Sequence, residues 1–247
     1  MEELGPPQIT TIRLPNGTVI SLVDWTDKPL FSTIDLLSGF ADQEVEAFSY
    51  VVSDNVSSSS NVTTRRVATE GDTNVATPGG MAATEEMLVY NIKVEPFQLR
   101  APLNTPFNAT TWDFEAEGLP VPEAQNLAIL AASTLLRLEI SQKIYAEAGF
   151  AYFNTGFGPF ISTTGFNGGT RRTFATQGLP SAEAPRSFSI PHHIGGHEKY
   201  RVVLVNPTGA PVQFRLPDGL VPTPGQQPQI AMRVRILLEG LYKRPVS

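Results

Sequence analysis

The stretch Met232–Tyr242 constrains the fold of this chain more than any other. Met232, Val234, Ile236, Leu238 and Tyr242 fall on one face of an extended strand, with Gly240 in register. Arg233, Arg235, Glu239 and Lys243 fall on the other. Side chains alternate across a strand with period two, so a slip of one residue would carry these charges into a core. A strand of this kind needs an apolar layer on one side only, which points to an antiparallel β-sandwich in the C-terminal half.

Other segments read in the same way. Leu88, Tyr90, Ile92 and Val94 alternate with Asn91, Lys93 and Glu95, and Pro96 ends that strand. Leu136, Leu138 and Ile140 alternate with Arg137, Glu139 and Ser141. Tyr200–Val205 is apolar and β-branched, and the turn Asn206-Pro207-Thr208-Gly209 separates it from Val212–Leu216. Ser187–Ile190 is a further short strand. Pro122–Ala132, with Pro122 and Glu123 in its first turn, predicts one short helix inserted before the Leu135 strand. Tyr152–Arg172, rich in Gly and Phe, reads as a turn-rich segment with aromatic plugs. It lacks the G-x-x-x-x-G-K-[ST] phosphate loop.

The N-terminal third is less regular. Ile9–Leu14 and Thr18–Val23 flank Pro15-Asn16-Gly17, a hairpin signal because Asn and Gly tolerate positive φ. After Pro29, the segment Leu30–Leu37 predicts a short helix closed by Gly39, and Gln43–Val52 is ambiguous between helix and strand. Ser53–Gly80, with its run Ser57–Ser60 and few large apolar residues, predicts a long exposed arm. The expected organisation is a hairpin, short helix and arm over residues 1–84, followed by a sandwich domain over 85–247.

Composition agrees with a loop-rich β protein: 17% charged residues, 41% hydrophobic, 21 Pro and 20 Gly in 247 residues. The chain has no cysteine, which removes disulfides, thiolate metal sites and cysteine nucleophiles. Met1–Pro7 has neither a basic region nor an apolar run of signal-peptide type, and Leu127–Leu136 is far too short to span a bilayer. A soluble protein made in a cytoplasm is expected. Charge is divided unevenly. Residues 1–120 carry 6 Lys/Arg against 17 Asp/Glu, and residues 121–247 carry 12 against 7. The bland reading is two different solvated surfaces. The sharper one sets an acidic segment of one copy on a basic face of its neighbour. The positive excess is too thin to predict specific nucleic-acid binding.

The sharpest chemical candidate is His192-His193-Ile194-Gly195-Gly196-His197-Glu198, which holds every histidine of the chain. His193, His197 and Glu198 are residue types that ligate Zn²⁺, Fe²⁺ or Mn²⁺. Gly195-Gly196 breaks any helical pair, however, and the spacing departs from the cupin-like pattern. A polar turn before the Tyr200 strand is therefore the preferred reading, with no cofactor and no catalytic residue assigned. Arg171 and Arg172, between Gly168-Gly169-Thr170 and Thr173, could bind a phosphate or a neighbour's carboxylate. No G-x-S-x-G elbow supports a serine nucleophile.

Over residues 85–246 the chain resembles the viral jelly roll, and in particular the coat proteins of icosahedral bacteriophages. The likeness lies in Glu85–Tyr90, Leu136–Lys143, Lys199–Leu204 and Arg235–Val246, and it is one of pattern. It implies an all-β fold: an antiparallel β-sandwich of jelly-roll type with an irregular N-terminal extension. It also implies a structural role in a virion, with self-assembly into a shell and partners that are copies of the chain and other virion proteins. Arg171, Arg172, Arg233, Arg235 and Lys243 would be inter-subunit contacts. A jelly-roll spike, head-decoration or carbohydrate-binding module is the alternative, and a cupin-like metalloenzyme the second.

Overall fold

The computed structural model describes residues 11–13, 17, 19–37, 44–59, 66–97, 122–153, 160–165, 171–176, 188–212, 214 and 230–243. The regular elements of the described chain are mainly strands: β1 (Thr11–Arg13), β2 (Val19–Ser21), β3 (Trp25–Asp27), β4 (Leu30–Leu37), β5 (Glu44–Ala47), β6 (Ser57–Ser58) and β7 (Glu86–Phe97). The helix α1 (Pro122–Ser133) comes next, followed by β8 (Leu135–Ile140) and β9 (Lys143–Gly149). After a 3-10 turn at Phe150–Phe153 come β10 (Phe160–Gly165), β11 (Arg171–Thr176), β12 (His192–Ile194), β13 (Tyr200–Val205) and β14 (Ile230–Lys243). The expected all-β class, with antiparallel sheets and one short helix, is present.

A six-stranded sheet runs β12-β7-β14-β4-β6, with β3 also paired to β14, and a four-stranded sheet runs β5-β13-β8-β9. The pairs β1–β2 and β10–β11 stand as separate two-stranded sheets. Four antiparallel pairs are nested in the chain: β8 with β9, β7 with β12, β5 with β13 and β4 with β14. The chain thus folds back as one long hairpin, drawn together by β14–β7 and β13–β8 pairing.

Both large sheets feed one hydrophobic core. Ile34, Leu36, Met87, Val89, Ile92, Val94, Val234, Ile236 and Leu238 come from the first, and Val45, Ala47, Leu136, Leu138, Val202 and Leu204 from the second. β14 lies at the centre of its sheet, and its alternation holds: Met232, Val234, Ile236, Leu238 and Tyr242 are buried. β8 and β13 behave as their patterns predict, as do the β1–β2 hairpin, with Gly17 at φ 87°, and α1.

Several expectations are corrected. Leu30–Leu37 is a strand, β4, and not a helix closed by Gly39. Leu30, Ile34 and Leu37 have helical spacing, but a strand buried on both faces carries apolar residues without alternation, and tertiary context overrides the local pattern. Its even residues Leu30, Ile34 and Leu36 enter the core, while Thr33, Asp35 and Leu37 are buried under the segment that follows. That segment is no free arm where it is described. Val56, Ser59, Ala68, Asp72, Thr73 and Val75 are buried, and β6 pairs in parallel with β4 at Ile34 and Asp35. The core continues across residue 84, since Leu30, Ile34, Leu36, Val75 and Met81 share it with Met87.

β7 changes phase part-way. Its register with β14 jumps between Asn91 and Val89, so Tyr90 is an extra residue, a β-bulge. Met87 and Val89 face the core before the bulge, and Ile92 and Val94 after it. Leu88 and Tyr90, expected on the same face as Ile92, pack instead with Trp25, Ile12, Ile20 and Leu241 in a second cluster. The partner of the bulge is Gly240. A Cβ there would lie 1.8 Å from the Leu88 carbonyl oxygen. β7 also runs through Pro96 to Phe97, where β12, paired only to Met87–Val89, leaves the far edge open to a residue without an N–H.

β9 is an unforeseen strand. It returns from β8 through Ser141 and Gln142, at φ 49° and 68°, a two-residue turn with both residues left-handed. Tyr152–Arg172 contains the strand β10 and the start of β11 where only turns were expected. The strand expected at Ser187–Ile190 lies later, at His192–Ile194. Of Val212–Leu216, Val212 and Phe214 are buried and the rest lies outside the described residues.

Candidate functional site

The basic side chains of β14 meet acidic ones from the N-terminal half of the same chain. Arg233 Nε donates to Asp35 Oδ1 at 2.8 Å. Asp35 Oδ2 accepts from Arg66 Nε at 3.0 Å, and Arg66 forks onto both oxygens of Asp72 at 2.6 Å. Asp72 also accepts the Thr69 N–H at 2.9 Å and the Thr69 hydroxyl at 2.8 Å. Burial works to raise the Asp72 carboxyl, but these charge-assisted bonds outweigh it and hold Asp72 well below the usual carboxylate range. Burial would likewise lower Arg66; Asp72 and Asp35 reverse this and raise it. Arg235 donates to the Gly71 carbonyl at 2.7 Å, lies 3.9 Å from Glu95 and covers the Phe31 ring. Lys243 binds Glu86 at 2.7 Å. Part of the charge asymmetry between the two halves is therefore paired within one chain, and Arg233, Arg235 and Lys243 are engaged in these pairs.

The histidine segment is divided rather than gathered. His192 and His193 lie on β12 opposite Val89 and Leu88. His193 Nε2 is 2.9 Å from Glu86 Oε2, on the carboxylate that Lys243 also holds. Burial pulls Glu86 upward, but the bonds from Lys243 and His193 prevail and lower it. His197 sits in the following turn at φ 65°, where its N–H donates to the Met81 carbonyl at 3.2 Å. Glu198 closes that turn, accepting the Gly195 N–H at 2.7 Å and the Ser141 hydroxyl at 3.3 Å. Gly196 packs against residues 82 and 83, since a Cβ would lie 2.4 Å from the Ala83 carbonyl. Among the described residues no group of three or more His, Asp or Glu is placed to hold a metal. The polar turn precedes β13, and β12 precedes that turn.

His192 serves a different purpose. Its ring stands 4.6 Å from Phe188 and 5.1 Å from Tyr145, joining the β12 edge of one sheet to the β9 edge of the other. Burial lowers its pKa, so the imidazole packs here as a neutral ring. Ile144, Tyr145 and Ile190 are exposed near this corner.

The outer face of the four-stranded sheet carries a network that was not foreseen. Arg137 reaches Glu44 at 3.1 Å and Glu139 at 3.5 Å, and it also binds Glu147. Arg201 holds Glu139 at 2.6 Å and Glu44 at 3.6 Å. The alternation in β8 signals that Arg137 and Glu139 face outward, but only pairing of β5, β13, β8 and β9 brings these charges together. Burial raises Glu46 beside them, with Arg201 working against it.

Arg171 and Arg172 lie on β11, opposite Gly165 and Thr164. Their side chains fall outside the described residues. Compared with family models, curated proteins and solved structures, the chain matches none. No helix among the described residues is long and apolar enough to cross a membrane.

Proposed function

We propose that the chain is a jelly-roll structural subunit of a virion. It is made in the host cytoplasm and assembles into an icosahedral shell with copies of itself and other virion proteins, acting by assembly rather than by catalysis. The order of strands carries this reading. Let β4, β5, β7, β8, β9, β12, β13 and β14 be counted one to eight. One sheet then runs one-eight-three-six and the other two-seven-four-five. Two nested Greek keys give that order when a long hairpin is rolled so that its halves cover each other.

The internal charge pairing refines how the subunit would meet its neighbours. Arg233, Arg235 and Lys243 are occupied in cis, so the contacts fall to loops and to elements such as β10–β11, with Arg171 and Arg172 as candidates. Each such contact can be weak, because a closed shell makes many at once.

Size-exclusion chromatography with light scattering, followed by negative-stain microscopy, tests the proposal. The expected result is a concentration-dependent rise to closed rings or shells. A strict monomer or simple trimer that binds glycans on an array would overturn the shell role in favour of a spike, decoration or carbohydrate-binding module. Stoichiometric metal that is lost in the His193→Ala, His197→Ala protein would instead point to a metalloenzyme.

A further inference from the structure

On one side of the sandwich the two large sheets end on β9 and β12, edge strands that are not paired with each other. Register sets what these strands present to that seam. His192 stands opposite Val89 and Ile194 opposite Met87. Val89, Met87 and Ile194 all belong to the core, so His192 takes an inward position of β12. His193, opposite Leu88, faces the other way, onto the Glu86 carboxylate that Lys243 also holds. On β9 the register with β8 passes from Ile144 opposite Glu139 to Ala146 opposite Leu138, so Tyr145 is an extra residue, a β-bulge. Ala146 and Ala148 pack on the core, and the bulge turns Tyr145 across the seam, where its ring meets His192 at 5.1 Å. Phe188 meets the same imidazole at 4.6 Å, and its N–H donates to the Tyr90 carbonyl at 2.7 Å. A titratable ring thus stands between two aromatic ones where the sheets part.

We propose that His192 is a pH-sensitive latch: as a neutral ring it closes the seam between β9 and β12, and as an imidazolium it leaves Tyr145 and frees residues 188–192 from β7. The contact that breaks is the one that crosses between the two sheets. The groups facing His192 are Tyr145 of β9, with the Lys143 ammonium 5.3 Å from the Tyr145 ring, then Phe188 and the apolar Val89 of β7. Glu86 lies on the far side of β12 and is held by His193 and Lys243. A proton on His192 therefore adds a cation near Lys143, and none of the groups facing it is a carboxylate. A half-buried imidazolium is better solvated outside the stack than within it. Burial holds His192 below its ordinary 6.5, so the latch is complete above that pH and weakens as pH falls below it. Ile194 is fully buried and Glu198 closes the next turn, so β12 stays anchored at its far end. The latch is independent of the shell reading, because every contact in it is made within one chain.

Titration of the imidazole resonances of the full-length protein by NMR, with hydrogen exchange read by mass spectrometry and corrected for intrinsic rates, tests the latch directly. His192 is expected to titrate below 6.5, and the Tyr145 ring resonances should move with the same midpoint. Amides of 188–194 should lose protection about threefold or more between pH 7 and pH 5, while those of β8 and β13 change less than about twofold. His192→Phe keeps a ring in the stack and takes up no proton, so its segment 188–194 should stay protected at pH 5. If that variant does not fold, Tyr145→Ala carries the test. With its cover removed, His192 should titrate closer to 6.5, and the segment should already be loosened at pH 7. A His192→Phe protein that loses protection in acid as the wild type does would overturn the latch and move the response to His193 or His197. So would a His192 midpoint above 6.5, or a segment that opens only together with β8 and β13.

Discussion

Replacing Gly240 with alanine tests the bulge that lets β7 serve two clusters. The added Cβ would sit 1.8 Å from the Leu88 carbonyl oxygen, 2.8 Å from its carbon and 3.1 Å from Val89 Cα. All three are backbone atoms of the paired strand, so no side chain can rotate away. β7 and β14 must part by more than an ångström at their contact, in the middle of the sheet. Two or three ladder bonds weaken, at about 1 kcal/mol each, and packing around Met87 and Leu88, both fully buried, loosens as well. The expected loss is about 2–4 kcal/mol, a large part of the 5–15 kcal/mol typical of a domain. Thermal unfolding followed by circular dichroism should show a fall in Tm of about 5–15 °C. Gly149→Ala is the control, since a Cβ there meets nothing within 4 Å, and it should change stability by less than about 0.5 kcal/mol. Equal Tm values for the two variants would refute the reasoning.

Three further predictions concern single contacts. Asp35→Ala removes the carboxylate between Arg233 and Arg66 and should cost about 3–5 kcal/mol in urea denaturation, the scale for breaking a buried pair from one side. Glu86→Gln should cost about 1 kcal/mol or less at pH 7, because Glu86 is partly solvated. Its lowered carboxyl stabilises above the ordinary value of 4.5 and ceases to as pH falls further, so the difference between the two proteins should shrink as pH falls below that value. The Ser141→Asn, Gln142→Gly double variant fits residues suited to positive φ into the β8–β9 turn and should gain about 0.5–1 kcal/mol in the same assay.

Where one face of an element meets the core and the other meets solvent, the pattern was legible in the residues alone. β8 and β14 are of this kind, whereas β13 was legible from its apolar, β-branched run and is buried on both faces at Val203 and Val205. The alternation of β14 was the feature that most constrained the fold, and its facing holds from Met232 to Lys243. The hairpin β1–β2 was legible for a local reason: Asn-Gly supplies the turn. The β8–β9 turn was missed because Ser and Gln are no signal for positive φ, and they adopt it only where the sheet holds them there.

Tertiary structure alone decided the rest. β4 is covered on both sides, so its sequence carries no period from which a strand could be read. β7 looks like one unbroken alternation, yet the bulge at Tyr90 exchanges its faces, because Gly240 of a strand some 150 residues away lets the backbones approach. The polar segment after Tyr50 has the composition of a free arm, and the Arg66–Asp35 ion pair with β4 and the hydrogen bond from Arg235 of β14 to the Gly71 carbonyl dock it. The divided charge of the chain was visible from the start, and composition cannot tell a neighbour's carboxylate from the chain's own. Folding places Asp35, Glu86 and Glu95 beside Arg233, Lys243 and Arg235, so opposite charges separated by most of the chain meet across adjacent strands.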